Sequence, residues 1–518
     1  MWAKKAFTII LCILIGGYYG IVLSRPINLV TADLGRHIKN GELFFAQGAP
    51  LAANHYSYTA PQFPVVNHHW GSGALFFMAW DIAGFTGVHL LFIAISICTL
   101  LLFFSLALRQ GGALAASLLS LLVIPLLSER IEVRPEVFSY FFAGLFFMLL
   151  WKYRQGSIRA RTLLLLPILE IVWVNTHIYF FLGWVILGCF ALEAAAFTPL
   201  LRSTQFKRLL MIIICTVGAA FINPYGAAAV FQPFTILENY GYRLAENQPV
   251  WFIEKLIEDP NYFYFKIIFA LLAASTLIVA VKKTKEMPVA PTLLALIVSV
   301  MAWLQIRNFA LFGFFALPLI AANVGLLSPS CRTRRDYWHY GGALAALVFV
   351  LGFIVAGGAL PPPFPSLRQF GIGLGEGNKN AAAFMVQNGI QGPLFNNYDI
   401  GGYLIYYLFP QEKVFVDNRP EAYPVSFFQE VYIPMQERDE VWEKEDAGYQ
   451  FNAIVFSYHD ATPWGQRFII ARVKDKRWAP VYVDQQVLIL VKRNEKNAAV
   501  IRTHELPQEY FRVVPAGI

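Results

Sequence analysis

Apolar runs of membrane-spanning length recur from one end of this sequence to the other, at roughly 6–24, 88–108, 113–127, 135–151, 162–175, 178–198, 208–223, 264–281, 288–305, 309–327 and 341–360. A bilayer core needs about 20 apolar residues for one helical crossing, and within it only helices and closed barrels satisfy their own backbone hydrogen bonds. Runs this long and this numerous exclude a soluble enzyme and predict an α-helical polytopic membrane protein of about eleven transmembrane helices. The balance of 57% hydrophobic against 14% charged residues says the same. The first run lacks a small-residue cleavage site and continues directly into Leu23-Ser24-Arg25-Pro26, so it reads as a retained helix rather than a removable signal.

Charge fixes the orientation. Lys4/Lys5, Arg109, Lys152/Arg154/Arg159/Arg161, Arg202/Lys207/Arg208, Lys282/Lys283/Lys285 and Arg332/Arg334/Arg335 fall at every second boundary. Short cytoplasmic loops carry such an excess, which puts the N-terminus inside and the C-terminus outside a cytoplasmic (inner) membrane. Eleven crossings preserve this alternation, whereas counting Ala74–Phe85 as a further span inverts every later loop. That stretch is therefore expected to be an embedded or interfacial helix that does not cross. The net charge of +8 is largely this inner rim, which suits lipid headgroups and gives no reason to invoke nucleic acid. Cys12, Cys98, Cys189, Cys215 and Cys331 fall in predicted spans or an inner loop and form neither a disulfide framework nor a CxxC metal site.

The predicted architecture is a transmembrane domain over 1–360, with a first outer loop at 25–87, and an extracytoplasmic α/β domain over 361–518 that begins after Pro361-Pro362-Pro363. In that tail a helix over Lys379–Asn388, strands near Pro393–Asn396, Lys413–Asp417 and Ala453–Ser457, and a hairpin of Val481–Asp484 with Val487–Val491 alternate as in an α/β layer. The strand ends carry Asn396-Asn397-Tyr398-Asp399, Gly401-Gly402-Tyr403 and Asp417-Asn418-Arg419. Such positions are the usual place for ligands, although local turn chemistry accounts for each one alone.

Within the first outer loop, Val30–Trp70 is too polar for lipid and dense in acid, base and aromatic groups. If Asn28–Asn40 is helical, Val30, Leu34 and Ile38 form an apolar stripe while Asp33, Arg36, His37 and Asn40 share the other face. The plain alternative is an interfacial helix with solvated charges. Three further outer segments hold ionisable residues close to membrane depth, where they are costly to keep. They are Ser128-Glu129-Arg130-Ile131-Glu132-Val133-Arg134-Pro135-Glu136, Trp173-Val174-Asn175-Thr176-His177 and Gln305-Ile306-Arg307-Asn308. Arg130, Arg134 and Arg307 violate the inside-positive pattern. They read either as anchors paired with neighbouring Glu residues or as an anion site, since guanidinium forks match phosphate oxygens. The aromatic outer loop Tyr225–Tyr262 reads first as an interfacial belt.

Taken in order, Asp33-Leu34-Gly35-Arg36-His37, Asn67-His68-His69-Trp70, Arg134-Pro135-Glu136, Trp173-Val174-Asn175-Thr176-His177, Asn223-Pro224-Tyr225-Gly226 and Gly401-Gly402-Tyr403-Leu404 resemble the GT-C superfamily of polytopic membrane glycosyltransferases. The narrower likeness is to a bacterial subgroup of unknown acceptor. The resemblance implies an enzyme that takes a sugar from a polyprenyl-phosphate carrier and gives it to a glycan, lipid or protein acceptor on the outer membrane face. It implies Asp33 as the catalytic base, with Glu136 and Glu132 assisting. Arg36, Arg134 and Arg307 would receive the phosphate, and His37, His68, His69 and His177 would either hydrogen-bond substrate or ligate a metal. No metal ligand set is assigned. A divalent metal is the one cofactor the resemblance leaves open, and no Asp-x-Asp pair is present in either loop to hold it.

The alternative is a non-catalytic lipid or glycan transporter or an envelope-assembly scaffold. Transport favours ionisable residues midway through spans, and here only Glu170 and Glu193 are so placed, the rest clustering at outer boundaries. Clustering at the boundary favours chemistry there, with Asp33, Arg134 and Arg307 expected to gather at one site.

Overall fold

The computed structural model describes residues 2–196, 204–235, 240–242, 244–284, 287–328, 336–355 and 370–511. Arg202, Lys285, Cys331, Arg332, Arg334, Arg335 and Pro361-Pro362-Pro363 lie outside the described residues. The described residues are mostly helical, with one small sheet among them. Among the described residues, five helices are long and apolar enough to cross a membrane: Lys5–Leu23, Trp70–Arg130, Ile178–Ala195, Pro260–Lys282 and Ile306–Leu327. Other apolar stretches are also helical, among them Glu136–Arg154 with 19 residues and the shorter Leu165–Thr176 and Val289–Leu304.

The helical run Trp70–Leu127, 58 residues, is too long for one crossing, since about 20 residues suffice. It is broken at Gly84 (φ 60°) and Gly112 (φ 81°), both left-handed, a conformation that ends a right-handed helix and that glycine adopts without a Cβ penalty. Beyond Gly84 the chain turns back on itself. A Cβ at Gly87 would meet the Ala79 carbonyl, eight residues earlier, which no straight helix permits. Ala74–Phe85, expected as a separate non-crossing helix, thus forms the first arm of a hairpin.

The chain divides into two compact units. The first comprises 1–26, 89–233 and 244–372, and the second 27–88, 234–243 and 373–518. The core of the first is an aromatic stack. Phe103 packs on Phe314, Phe315 and Phe147, with centroids at 5.4, 5.1 and 6.3 Å, and Phe265 stacks on Phe309 at 4.5 Å. Small residues let backbones touch in the same unit: a Cβ at Gly111 would lie 2.7 Å from the Ala321 carbonyl, and one at Gly325 would meet the Gln110 carbonyl. Helices in lipid gain most by such close approach, because burial of apolar surface drives nothing between them.

In the second unit, β1 (Leu394–Asn396), β2 (Ala453–Ser457), β3 (Trp478–Val483) and β4 (Val487–Lys492) form a sheet of order β1-β2-β4-β3, with β1 parallel to β2 and the other pairs antiparallel. Asp484 sets the β3–β4 turn: its Oδ1 accepts the Gln486 and Val487 amides, each at 2.8 Å.

Two expectations are corrected here. Lys413–Asp417 is not a strand. Val414 instead exchanges backbone hydrogen bonds with Tyr56 and Tyr58 of the first loop, and the Phe415 amide is taken by the Asn396 side chain at 2.9 Å. The helix placed over Asn28–Asn40 runs from Leu34 to Gln47. Asn28 explains the late start, since its side chain accepts the Val30 amide at 3.0 Å and closes a turn that competes with helix. Gly48 ends this helix in the left-handed region (φ 73°), its amide bonded to Phe44.

Candidate functional site

In the second unit Asp33 stands at the start of helix Leu34–Gln47 and keeps a fifth of its side chain exposed. Arg36 Nη2 donates to its Oδ2 at 3.0 Å, and His37 Nε2 lies 3.2 Å from the same oxygen. Arg36 Nε donates to Asn418 Oδ1 at 3.1 Å, and the His37 ring meets His69 edge-on at 5.1 Å, with His68 beside it. The polar face is not solvated: Arg36 is 3% exposed and His37 0%. The interfacial-helix alternative fails on that burial. Asp33 is thus held by Arg36 and His37 through one carboxylate oxygen while a fifth of its side chain stays accessible, which suits a carboxylate that must be aimed.

Glycines set this geometry. A Cβ at Gly35 would fall 2.8 Å from the Gly402 carbonyl and 2.8 Å from Tyr406 Cβ, so helix Leu34–Gln47 meets helix Gly401–Leu408 backbone to backbone. Gly402 of the Gly401-Gly402 pair therefore packs against the start of the helix that carries Asp33. Four of the other strand-end residues, Asn396, Asn397, Asp417 and Arg419, are taken up by internal hydrogen bonds. Asn396 and Asn397 are fully buried and hydrogen-bonded on both ends of their amides. Asp417 takes both Arg419 nitrogens at 2.7 and 2.6 Å, and Arg419 continues to Asn54 and lies over Tyr56.

The first unit carries a second charged cluster. Glu246 Oε2 accepts from Arg130 Nη1 at 2.8 Å and Arg134 Nη1 at 3.3 Å, while its Oε1 lies 3.7 Å from Arg307 Nη1. Arg134 is also forked onto Glu132 at 2.9 and 2.6 Å, and Arg130 Nε lies 3.3 Å from Glu136 Oε1. Arg307 donates to Asn247 at 2.9 Å and sits over the Tyr179 ring. Burial opposes the charge on Glu246, but Arg130, Arg307 and Arg134 outweigh it and hold its carboxyl well below the usual carboxylate range. A small cleft with a cavity volume of only about 10 Å³, lined by Arg130, Glu132, Glu136 and Tyr140 among aromatic and aliphatic side chains, lies beside the cluster.

Arg134 and Arg307 are thus brought together as expected, and Asp33 belongs to the other unit. His177 Nδ1 accepts the Tyr179 amide at 3.3 Å and lies 2.7 Å from Ser139 Oγ, which in turn accepts from Trp173. Asn223 closes a turn with Tyr225 and Gly226. Of the two midspan acids, Glu193 pairs with Arg154 and caps the Ala290 amide. Glu246 and Asn247 were missed, because their loop reads as an aromatic belt. The available signal was three outer arginines in want of counter-ions.

Among the described residues no group of three or more His, Cys, Asp or Glu side chains is placed to hold a metal ion. The donors around Asp33 are a guanidinium and imidazoles, and those around Glu246 are three guanidiniums, which repel a cation. The three guanidiniums around Glu246 disfavour a cation there, whereas the carboxylate and imidazoles around Asp33 are groups of the kind that bind divalent metals.

No protein-family model matches the sequence, and no curated protein sequence does either. In structure the chain is similar to the archaeal oligosaccharyltransferase AglB from Archaeoglobus fulgidus, in complex with an inhibitory peptide and a dolichol-phosphate, with a TM-score of 0.63 at 11% identity over 93% of this chain and 73% of that one. The A. fulgidus enzyme in complex with Zn and sulfate superposes with a TM-score of 0.55 at 12% identity, over 93% and 73%. ArnT from Cupriavidus metallidurans, bound to undecaprenyl phosphate, gives a TM-score of 0.52 at 12% identity over 95% of this chain and 98% of that one. The likeness in fold extends over nearly the whole chain.

Proposed function

We propose that this protein is a multi-pass membrane glycosyltransferase that moves a sugar from a polyprenyl-phosphate donor to an acceptor on the outer face of the cytoplasmic membrane. On this reading the chain crosses about eleven times from a cytoplasmic N-terminus, and the second unit, with Asp33, lies outside. The structural neighbours that bind dolichol-phosphate, undecaprenyl phosphate or an acceptor peptide support the donor and acceptor classes.

The observation that carries the reading is the gathering of Arg130, Arg134 and Arg307 around one carboxylate, at a boundary where arginine is otherwise avoided. Guanidinium forks of this kind recognise phosphate oxygens. In the transfer, the acceptor hydroxyl forms a bond to the anomeric carbon as the bond from that carbon to the phosphate oxygen breaks. The bonding pair leaves with the lipid phosphate, whose growing charge cations such as these stabilise, and the acceptor proton passes to a carboxylate base, the role assigned to Asp33. Arg36 and His37 aim the carboxylate.

Mass spectrometry of cell-envelope glycans and glycoproteins from a deletion strain tests the function. A missing sugar, restored by the wild-type gene, is the expected result. An envelope unchanged in glycan composition under conditions of expression refutes it.

A further inference from the structure

Glu246 is the carboxylate on which three guanidiniums converge, and it leaves part of their capacity unspent. Nη2 of Arg130 and Nε of Arg307 are buried with no hydrogen-bond partner, and Nε of Arg130 has only the 3.3 Å ion-pair approach to Glu136; the Arg130 side chain is 9% exposed and lines the cleft. Idle buried donors carry a standing penalty, and a carboxylate has too few oxygens to relieve it here. A tetrahedral oxyanion has more. The charges are balanced, Arg130, Arg134 and Arg307 against Glu132, Glu136 and Glu246. Glu132 touches Arg134 and Glu136 touches Arg130, whereas Glu246 touches all three.

We propose that Glu246 is an internal counter-ion that occupies the phosphate site of the substrate-free protein and is displaced by the phosphate of the lipid-linked donor. This rests on the reading of the arginines as that phosphate site. A polyprenyl-phosphoryl sugar is a phosphodiester with a single negative charge, so its exchange for the Glu246 carboxylate keeps the cluster neutral. An uncharged lipid or a cationic ligand gives no such exchange. The site therefore selects for an anionic head group by making every ligand compete with a built-in carboxylate, a repulsive as well as an attractive criterion.

Binding of radiolabelled undecaprenyl phosphate to the purified full-length protein in detergent tests the inference, with a parallel titration by inorganic phosphate to separate the head group from the prenyl chain. Glu246→Gln is expected to tighten both by roughly tenfold or more, the effect of removing one charge-assisted competitor. Glu246→Asp, which keeps the charge and shortens the reach, gives a smaller gain and serves if the Gln variant folds poorly. Glu132→Gln removes an equal charge that touches one arginine and is expected to give less than Glu246→Gln. An equal gain from Glu132→Gln would reduce the effect to net charge and overturn the counter-ion role. So would unchanged or weaker binding by Glu246→Gln while Arg307→Ala still loses affinity, an outcome that leaves the phosphate site standing. If none of these variants, Arg307→Ala included, alters binding, the phosphate site itself is refuted and the counter-ion with it.

Discussion

Arg134 and Arg307, from loops far apart in the sequence, meet on the single carboxylate of Glu246, which accepts from Arg134 at 3.3 Å and stands 3.7 Å from Arg307. Each keeps a second anchor, Glu132 for Arg134 and Asn247 for Arg307. Both guanidiniums are therefore oriented before any ligand arrives, which reduces the ordering cost of binding.

Arg307→Ala is expected to raise KM for the lipid-phosphate donor by about 10- to 100-fold, the effect of one charge-assisted contact, with a smaller change in kcat. Arg134→Ala is expected to act in the same direction. Steady-state kinetics with a purified lipid donor check this, and an unchanged KM in both variants would remove these residues from donor capture.

Asp33→Asn keeps an oxygen that accepts from Arg36 and His37 but cannot take the acceptor proton. Transfer is expected to fall by ~10²–10⁴ while expression and melting temperature stay near those of the wild type. Complementation of a deletion strain, at expression levels where activity limits the phenotype, provides the measurement. Full complementation would sink the assignment of Asp33 as base.

Gly35→Ala places a methyl group 2.8 Å from the Gly402 carbonyl. Helices Leu34–Gln47 and Gly401–Leu408 must then part, at an expected cost of about 1–3 kcal/mol, as in other overpacked contacts. Thermal unfolding in detergent reads this directly. The same melting temperature as the wild type would show that the two helices are not held at this distance.

The carboxyl of Glu246 is held below the usual carboxylate range, burial opposing this and Arg130, Arg307 and Arg134 prevailing. A depressed folded-state pKa means that the unfolded chain binds the proton first as pH falls. Wild type is therefore expected to melt above Glu246→Gln at neutral pH, with the gap shrinking below about pH 4, where unfolded carboxyls titrate, and vanishing only in stronger acid. Melting curves of both proteins across that range check the sign. A gap that widens on acidification contradicts it.

Orientation is open to cysteine labelling in a background with the five native cysteines replaced by serine. Ala52 and Ser157 are both exposed positions in loops. Ala52→Cys is expected to react with an impermeant maleimide in intact cells, and Ser157→Cys only after permeabilisation. The reverse pattern inverts the topology.

The sequence alone determined whatever depends on neighbouring residues. The apolar runs at 88–108 and 113–127 fall on either side of Gly112, whose left-handed backbone separates them, and the hairpin about Asp484-Gln485-Gln486 follows from an aspartate that caps its own turn. Length in lipid and turn chemistry are local properties, so both are written in short windows. Asp33, Arg36 and His37 were also legible, being three and four residues apart on one helix. Only the tertiary structure decided the partners. Arg36 finds Asn418 at a separation of 382 residues, Arg419 finds Asn54 at 365, and Arg130 finds Glu246 at 116. Any outer carboxylate satisfies an arginine equally well on composition. Lys413–Asp417 likewise reads as a strand, yet its hydrogen bonds go to Tyr56, Tyr58 and the Asn396 side chain. Which groups meet is fixed by close approaches such as Gly35 against Gly402, and those distances depend on how whole helices pack.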